Sequence, residues 1–232
     1  MESAEFDWSL LQNYLVKNAP PSVYYIPNII TKEEEEYLIK YIYDAPKPKW
    51  TNLSNRRLQD YGGIPHKNGL IPDSIPAWLL PFLDRVSDIG VFGRKKSTQL
   101  RANHCLINEY KPGQGIMPHF DGPLFTPIIT TITCNSHSVL EFRNNNVDRD
   151  IVCKLILERG SLVIITDDMY SKYLHSIDEI DTDIIDSTIA NIEQSSVKLG
   201  DVLKRGTRIS LTIRNVPRVI KTNLFKLKRR II

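Results

Sequence analysis

The chain has 232 residues, 30 Lys and Arg against 27 Asp and Glu, and a net charge of only +3. That length suits one large domain with a substantial interior, and three cysteines, Cys105, Cys134 and Cys153, are too few and too odd in number for a disulfide scaffold. Apolar stretches are broken by charge, proline or threonine well short of a bilayer span, and residues 1–19 lack an apolar run behind a basic segment, so the expectation is an intracellular protein of the cytoplasm and nucleus with no membrane contact.

Thr31-Lys32-Glu33-Glu34 reads as a capping box, and the helix it opens is predicted over 32–44, with Tyr37, Leu38, Tyr41 and Ile42 as its apolar stripe. Pro46 and Pro48 stop it. Residues 50–73 are rich in Asn, Arg, Gly and Pro and read as long loops with short strands. A second helix is predicted over 76–87, where Trp78, Leu79, Phe82, Leu83 and Val86 recur at helical intervals.

From Gln99 onward, short β-branched segments alternate with turn residues, and strands are predicted over 103–110, 127–134, 139–142, 152–158, 161–166 and 207–214. Such punctuation points to a sandwich or jelly roll rather than to alternating β and α units. Residues 178–201 form an acidic insertion, read as a partly helical surface excursion. The organisation is therefore one domain: helices and loops over 1–100, a β core over 101–217 and a tail over 218–232. From Arg214 the chain carries Arg218, Lys221, Lys226, Lys228, Arg229 and Arg230 with no acid, compatible with phosphate contact or a nuclear address.

The stretch 108–121 ends in His119-Phe120-Asp121. On an extended chain alternate side chains share a face, so His119 and Asp121 can grip one ion together. If a second histidine completes the set, it is the two-His, one-carboxylate face of non-haem Fe(II) oxygenases, which leaves positions open for a cosubstrate and O2. His175 is the candidate third ligand, with His66, His104 and His137 as rivals. Asn108 and Tyr110 share one strand face. In Thr-Arg-Ile-Ser-Leu-Thr-Ile-Arg, Ile209, Leu211 and Ile213 alternate with Arg208, Ser210, Thr212 and Arg214. Six strand residues separate the two arginine Cα atoms by about 20 Å and each side chain reaches about 6 Å, which leaves a gap near the length of 2-oxoglutarate. The planar guanidinium fork matches a carboxylate at each end.

Taken in order, Asn-x-Tyr-x-Pro-Gly, Met-Pro-His-x-Asp, Gly160-Ser161-Leu162 with Tyr170 and His175-Ser176-Ile177, then Arg-x-Ser-Leu-Thr-x-Arg, resemble the AlkB family of Fe(II)/2-oxoglutarate dioxygenases. Segments such as Val23-Tyr24-Tyr25-Ile26-Pro27 and Ala45-Pro46-Lys47-Pro48-Lys49-Trp50 resemble its AlkB homologue six branch, and the similarity spans about residues 20–219. The resemblance implies a mainly β (α+β) fold, a double-stranded β-helix core with flanking N-terminal helices. It implies Fe(II) on His119, Asp121 and His175, and 2-oxoglutarate on Arg208, Arg214, Asn108 and Tyr110. It places Arg57 and Tyr61 in a nucleotide-recognition lid, and Phe120, Phe125 and Tyr170 at the mouth.

The implied reaction is oxidative demethylation of N-methylated DNA or RNA, single strands favoured, with release of succinate, CO2 and formaldehyde. The alternatives are the same chemistry on protein side chains and a nucleic-acid-binding module with little turnover. Two features depart from the family pattern: the acidic insertion between His175 and Arg208, and Asp167-Asp168 where many members have a glycine-led turn. Acidic groups at a substrate entrance repel phosphates, so the insertion either lies away from the mouth or counts against nucleic acid.

Overall fold

A computed structural model describes residues 8–95 and 98–220. The tail residues from Lys221 onward, Lys226, Lys228, Arg229 and Arg230 among them, lie outside the described residues.

Eleven strands build two facing sheets, and their order in the chain gives β1 (Val23–Ile26), β2 (Thr51–Leu53), β3 (Arg56–Tyr61), β4 (His104–Tyr110), β5 (Ile116–His119), β6 (Ile128–Cys134), β7 (Ser138–Asn144), β8 (Ile151–Leu157), β9 (Leu162–Thr166), β10 (Tyr173–Ile177) and β11 (Arg208–Arg214). The large sheet runs β1-β9-β6-β11-β4-β3-β2 and the small one β8-β7-β10-β5, with every pairing antiparallel. Such an arrangement is the jelly roll expected from the sequence. Among the described residues no helix is long and apolar enough to cross a membrane.

Alternation along the large sheet separates two cores. On β11, Ile209, Leu211 and Ile213 face the helices, together with Cys105 and Ile107 of β4 and Leu162 and Ile164 of β9. The opposite parity turns inward: Val163 and Ile165 of β9 meet Leu140 and Phe142 of β7 and Leu155 and Leu157 of β8 between the sheets. All three cysteines are free and buried.

The first helix, α1 (Lys32–Tyr43), forms as its capping box dictates: Glu34 N donates to Thr31 Oγ1 at 3.2 Å and Thr31 N to Glu34 Oε2 at 2.9 Å. Its buried face is Glu35, Leu38 and Ile42, whereas Tyr37 and Tyr41 remain exposed beside each other. Glu35 takes an inward position because Arg159 Nη2 meets it at 2.6 Å. The second helix, α2 (Leu80–Asp88), starts later than residue 76. Residues 76–79 make a turn, with Leu79 N donating to Pro76 O at 3.0 Å, and Pro81 sits in the first helical turn, where a missing N–H is harmless.

Residues 178–201 are better ordered than a surface excursion. Thr182–Ile184 pairs with Val202–Lys204, and Ile185 and Ile189 pack on Val139 and Ile156 across the outer face of the small sheet. The Asn191 side chain extends the sheet edge by donating to Ile156 O and accepting from Ile156 N, each at 2.9 Å. Arg205, just beyond the insertion, clamps Asp183 at 2.6 and 2.7 Å, so part of the insertion's negative charge is neutralised. The insertion thus backs the sheet whose other face lines the interior.

Candidate active site

A cavity of ≈ 290 Å³ opens between the sheets, and His119, Asp121, His175, Asn108, Tyr110, Arg208 and Arg214 all line it. Two neighbouring strands of the small sheet supply the imidazoles, because His119 at the end of β5 pairs in register with His175 of β10. Their ring centroids lie 4.3 Å apart. Asp121, just past the end of β5, places Oδ1 3.8 Å from His175 Nε2. The three ligand atoms all fall within 4.8 Å of one another. Of the rivals, His104 faces Asp60 Oδ1 at 3.5 Å, His137 faces Asp183 at 3.2 Å, and His66 accepts from Asn68 N in an exposed turn.

Neighbouring groups orient each of the three side chains. His119 Nδ1 lies 2.8 Å from Met117 O, and donating there leaves Nε2 as the free lone pair. Asp121 divides its oxygens: Oδ1 faces the histidines while Oδ2 meets Arg214 Nη2 at 2.7 Å, an ion pair not aligned as a hydrogen bond. Burial, reinforced by the adjacent His119, lowers the His175 pKa to about 4, so this imidazole is neutral near pH 7, as a metal ligand must be. In metal-free protein at pH values between its ordinary 6.5 and about 4, only the unfolded chain takes up this proton. Stability is therefore expected to fall as pH drops through that window, by at most about 1.4 kcal/mol per pH unit. Thermal melts in chelator check this, and His175→Asn should flatten the profile.

Close backbone approach holds the histidine strands together. A Cβ on Gly115, which precedes β5, would sit 2.1 Å from the backbone oxygen of Ile177 on β10. Gly115→Ala is therefore expected to push β5 off β10 and separate His119 from His175. Isothermal titration should find Fe(II) affinity reduced at least tenfold, alongside a lower melting temperature.

The arginines occupy the inward face of β11. Arg208 is 3 % exposed, donates from Nη2 to Thr133 Oγ1 at 2.9 Å, and its Nε has no partner. Burial without a carboxylate lowers its pKa to about 10. A buried cation left this way is costly until an anion reaches it. Arg214 stacks over Phe125, 4.5 Å from the ring centroid, and its Nε is likewise unpaired. Tyr110 lies 5.8 Å below the Arg208 guanidinium. The donor set and the two incompletely paired guanidiniums fit Fe(II) beside a dicarboxylate.

Two residues assigned to the lid are not brought to the cavity. Arg57 makes two 2.7 Å bonds to Glu109 and stacks on Trp50. Tyr61 is 8 % exposed, bonds Gln59 at 2.8 Å and meets Trp78 edge-on in the helix-side core. The reason is parity: Leu58 pairs with Asn108, so residues 57, 59 and 61 point away from the interior. Arg56, missed in the sequence, lines the cavity and donates from Nε to Asn108 Oδ1 at 3.2 Å. Inward alternation counted from Asn108 would have found it. Phe120 and Phe125 line the cavity, and the Tyr170 hydroxyl donates to Gly122 O at 3.2 Å beside it.

Residues 49–214 match the family model of the 2OG-Fe(II) oxygenase superfamily. The chain is 46 % identical over 225 residues to the "Probable RNA/DNA demethylase ALKBH6" of Danio rerio, covering 93 % of this chain and 94 % of that protein. It is also 25 % identical to the "tRNA (carboxymethyluridine(34)-5-O)-methyltransferase alkbh8" of Xenopus tropicalis, covering 89 % of this chain and 33 % of that one. The solved structure of OsALKBH1 shares the fold at a TM-score of 0.57 and 16 % identity, covering 84 % of this chain and 99 % of that one. With its fold, its family match and so extensive a likeness to the zebrafish protein, the chain belongs to the 2OG-Fe(II) oxygenase superfamily.

Proposed function

We propose that this dioxygenase oxidatively demethylates N-methylated nucleic acid, with single strands favoured over duplexes. The observation that carries the reading is the meeting of His119, Asp121 and His175 in the same cavity as Arg208 and Arg214. Extensive identity to a protein named as a probable RNA/DNA demethylase supports the substrate class.

In this reading His119, Asp121 and His175 hold Fe(II), and Arg208 receives the far carboxylate of 2-oxoglutarate. Arg214 fixes Asp121 and offers its remaining donors to the near end of the cosubstrate. Asn108 and Tyr110 give hydrogen bonds along its length. With O2, Fe(II) and 2-oxoglutarate supply the oxidation of a C–H bond, so that an N-methyl group leaves as formaldehyde while succinate and CO2 are released. Phe120, 37 % exposed between the two ligands it separates, presents an aromatic face at the mouth on which a base can rest. Ile116, Leu140 and Leu157 keep the interior apolar and exclude water.

From Ile185 onward the acidic insertion backs the outer face of the small sheet, so the charge of that part is held away from the phosphates at the mouth. A base within a duplex would first have to be flipped out, at a cost of a few kcal/mol, hence the preference for single strands. Formaldehyde release across methylated single strands, duplexes and methylated peptides tests the proposal. Release from single strands above both other classes is expected; release from peptides alone would replace this reading with a protein demethylase.

A further inference from the structure

A second concavity, ≈ 660 Å³, adjoins the active-site cavity, and Gly122 and Phe125 line both. One wall is the hairpin formed by Gly63–His66 and Gly69–Pro72, and the other is the chain just beyond β11. These walls are fastened together: Leu70 N donates to Arg218 O and Ile220 N to Leu70 O, both at 2.8 Å. Gly69 permits this docking, since with φ +131° and a Cβ position only 2.4 Å from Arg218 O no other residue fits. The groove is thus a built feature of the fold.

Its chemistry is one-sided. Lys67 and Arg218 are exposed along it, and no acidic side chain lines it. Pro65, Pro123, Leu124 and Pro217 supply apolar surface between the cations. Cations beside flat apolar surfaces are what a single-stranded polynucleotide requires, the first for its phosphates and the second for its bases.

We infer that this groove binds the strand that flanks the target nucleotide, with Lys67 and Arg218 on its phosphates, and so delivers the adjoining base across Gly122 and Phe125 to the cavity. The inference rests on the nucleic-acid reading above. It assigns to the hairpin of residues 63–72 the strand contact that Arg57, held on Glu109 on the opposite face of the sheet, and Tyr61, buried in the helix-side core, do not make.

Binding of an unmethylated single-stranded oligonucleotide to the full-length protein, measured from 50 to 400 mM salt, tests it. Each phosphate contact on a single strand contributes about 0.7 to the slope of log K against log salt, or roughly fivefold in affinity at 0.1 M. The double variant Lys67→Ala/Arg218→Ala is therefore expected to lose about 1.4 of slope and to bind about 25-fold more weakly at 0.1 M. Lys67→Arg/Arg218→Lys should keep the wild-type slope, and thermal melts confirm that the variants are folded. Lys198→Ala/Lys204→Ala, which removes the same charge from exposed positions in and beside the insertion that do not line the groove, should keep it too.

Equal slopes for wild type and Lys67→Ala/Arg218→Ala would overturn the groove assignment while leaving the substrate reading intact. Equal losses in the groove and insertion variants would also overturn it, tracing the effect to net charge. If the wild type binds no oligonucleotide at any salt concentration, the nucleic-acid reading itself fails, and the groove inference with it.

Discussion

Replacing Arg208 with methionine is expected to make the ligand-free protein more stable and to destroy its grip on 2-oxoglutarate. The guanidinium is buried beside Thr133 with an unpaired Nε and no carboxylate, and burial is the main cause that lowers its pKa to about 10. Folding therefore buries a charge that the ligand-free protein does not compensate. Methionine fills similar volume without that penalty, and removal of a buried, poorly satisfied ionic group stabilises other proteins by about 1–4 kcal/mol. The same substitution removes the fork that would receive the far carboxylate. Truncating one side of a buried charge pair costs about 2–5 kcal/mol, so the KM for 2-oxoglutarate should rise by roughly two to three orders of magnitude. Melting curves with and without cosubstrate read both effects at once. A lower melting point in the ligand-free variant, or an unchanged KM, would show that Arg208 has a structural role instead.

The Asp121→Ala substitution is expected to abolish turnover and, separately, to destabilise the fold. Its Oδ1 faces the two histidines and its Oδ2 Arg214, and both partners of that ion pair are largely buried, at 5 % and 10 % side-chain exposure. Removing the carboxylate strands a cation in the interior, which costs about 3 kcal/mol. The two losses can be separated with a second substitution. Adding Arg214→Met should restore most of the stability, because no unpaired charge remains, yet succinate formation should stay at background. Recovery of turnover in the double variant would remove Asp121 from the metal-binding set.

Much of this architecture was legible in the chain because local chemistry and tertiary packing agree there. The capping box at Thr31 gave the start of a helix, and the alternation of β11 gave an element and its face. On α1 only Leu38 and Ile42 of the expected stripe are buried, since Arg159 draws Glu35 inward and leaves Tyr37 and Tyr41 outside. The meeting of His119 and Asp121 was foreseeable because a two-residue spacing on extended backbone converges, and that of His175 because it was the candidate among several histidines and the family motifs matched it. Failures came where a single residue of parity decides. Arg56 and Arg57 are chemically identical neighbours, and only pairing of Leu58 with Asn108 determines which one enters the cavity. The insertion misled for a different reason: its acidic composition hides Ile185, Ile189 and Asn191, whose value depends on a sheet face and edge that the linear sequence does not display. The groove beside the mouth was equally hidden, since it joins residues 65–69, 122–125 and 217–218.

The most direct test of the central claim, that two histidines on adjoining strands and the aspartate just beyond one of them hold one ferrous ion beside a dicarboxylate cradle, is succinate formation from 2-oxoglutarate by purified protein supplied with Fe(II). Wild type should form succinate, chelator should stop it, and His119→Ala and His175→Ala should each fall to the level of an enzyme-free control. Equal rates in wild type and His119→Ala would contradict the account.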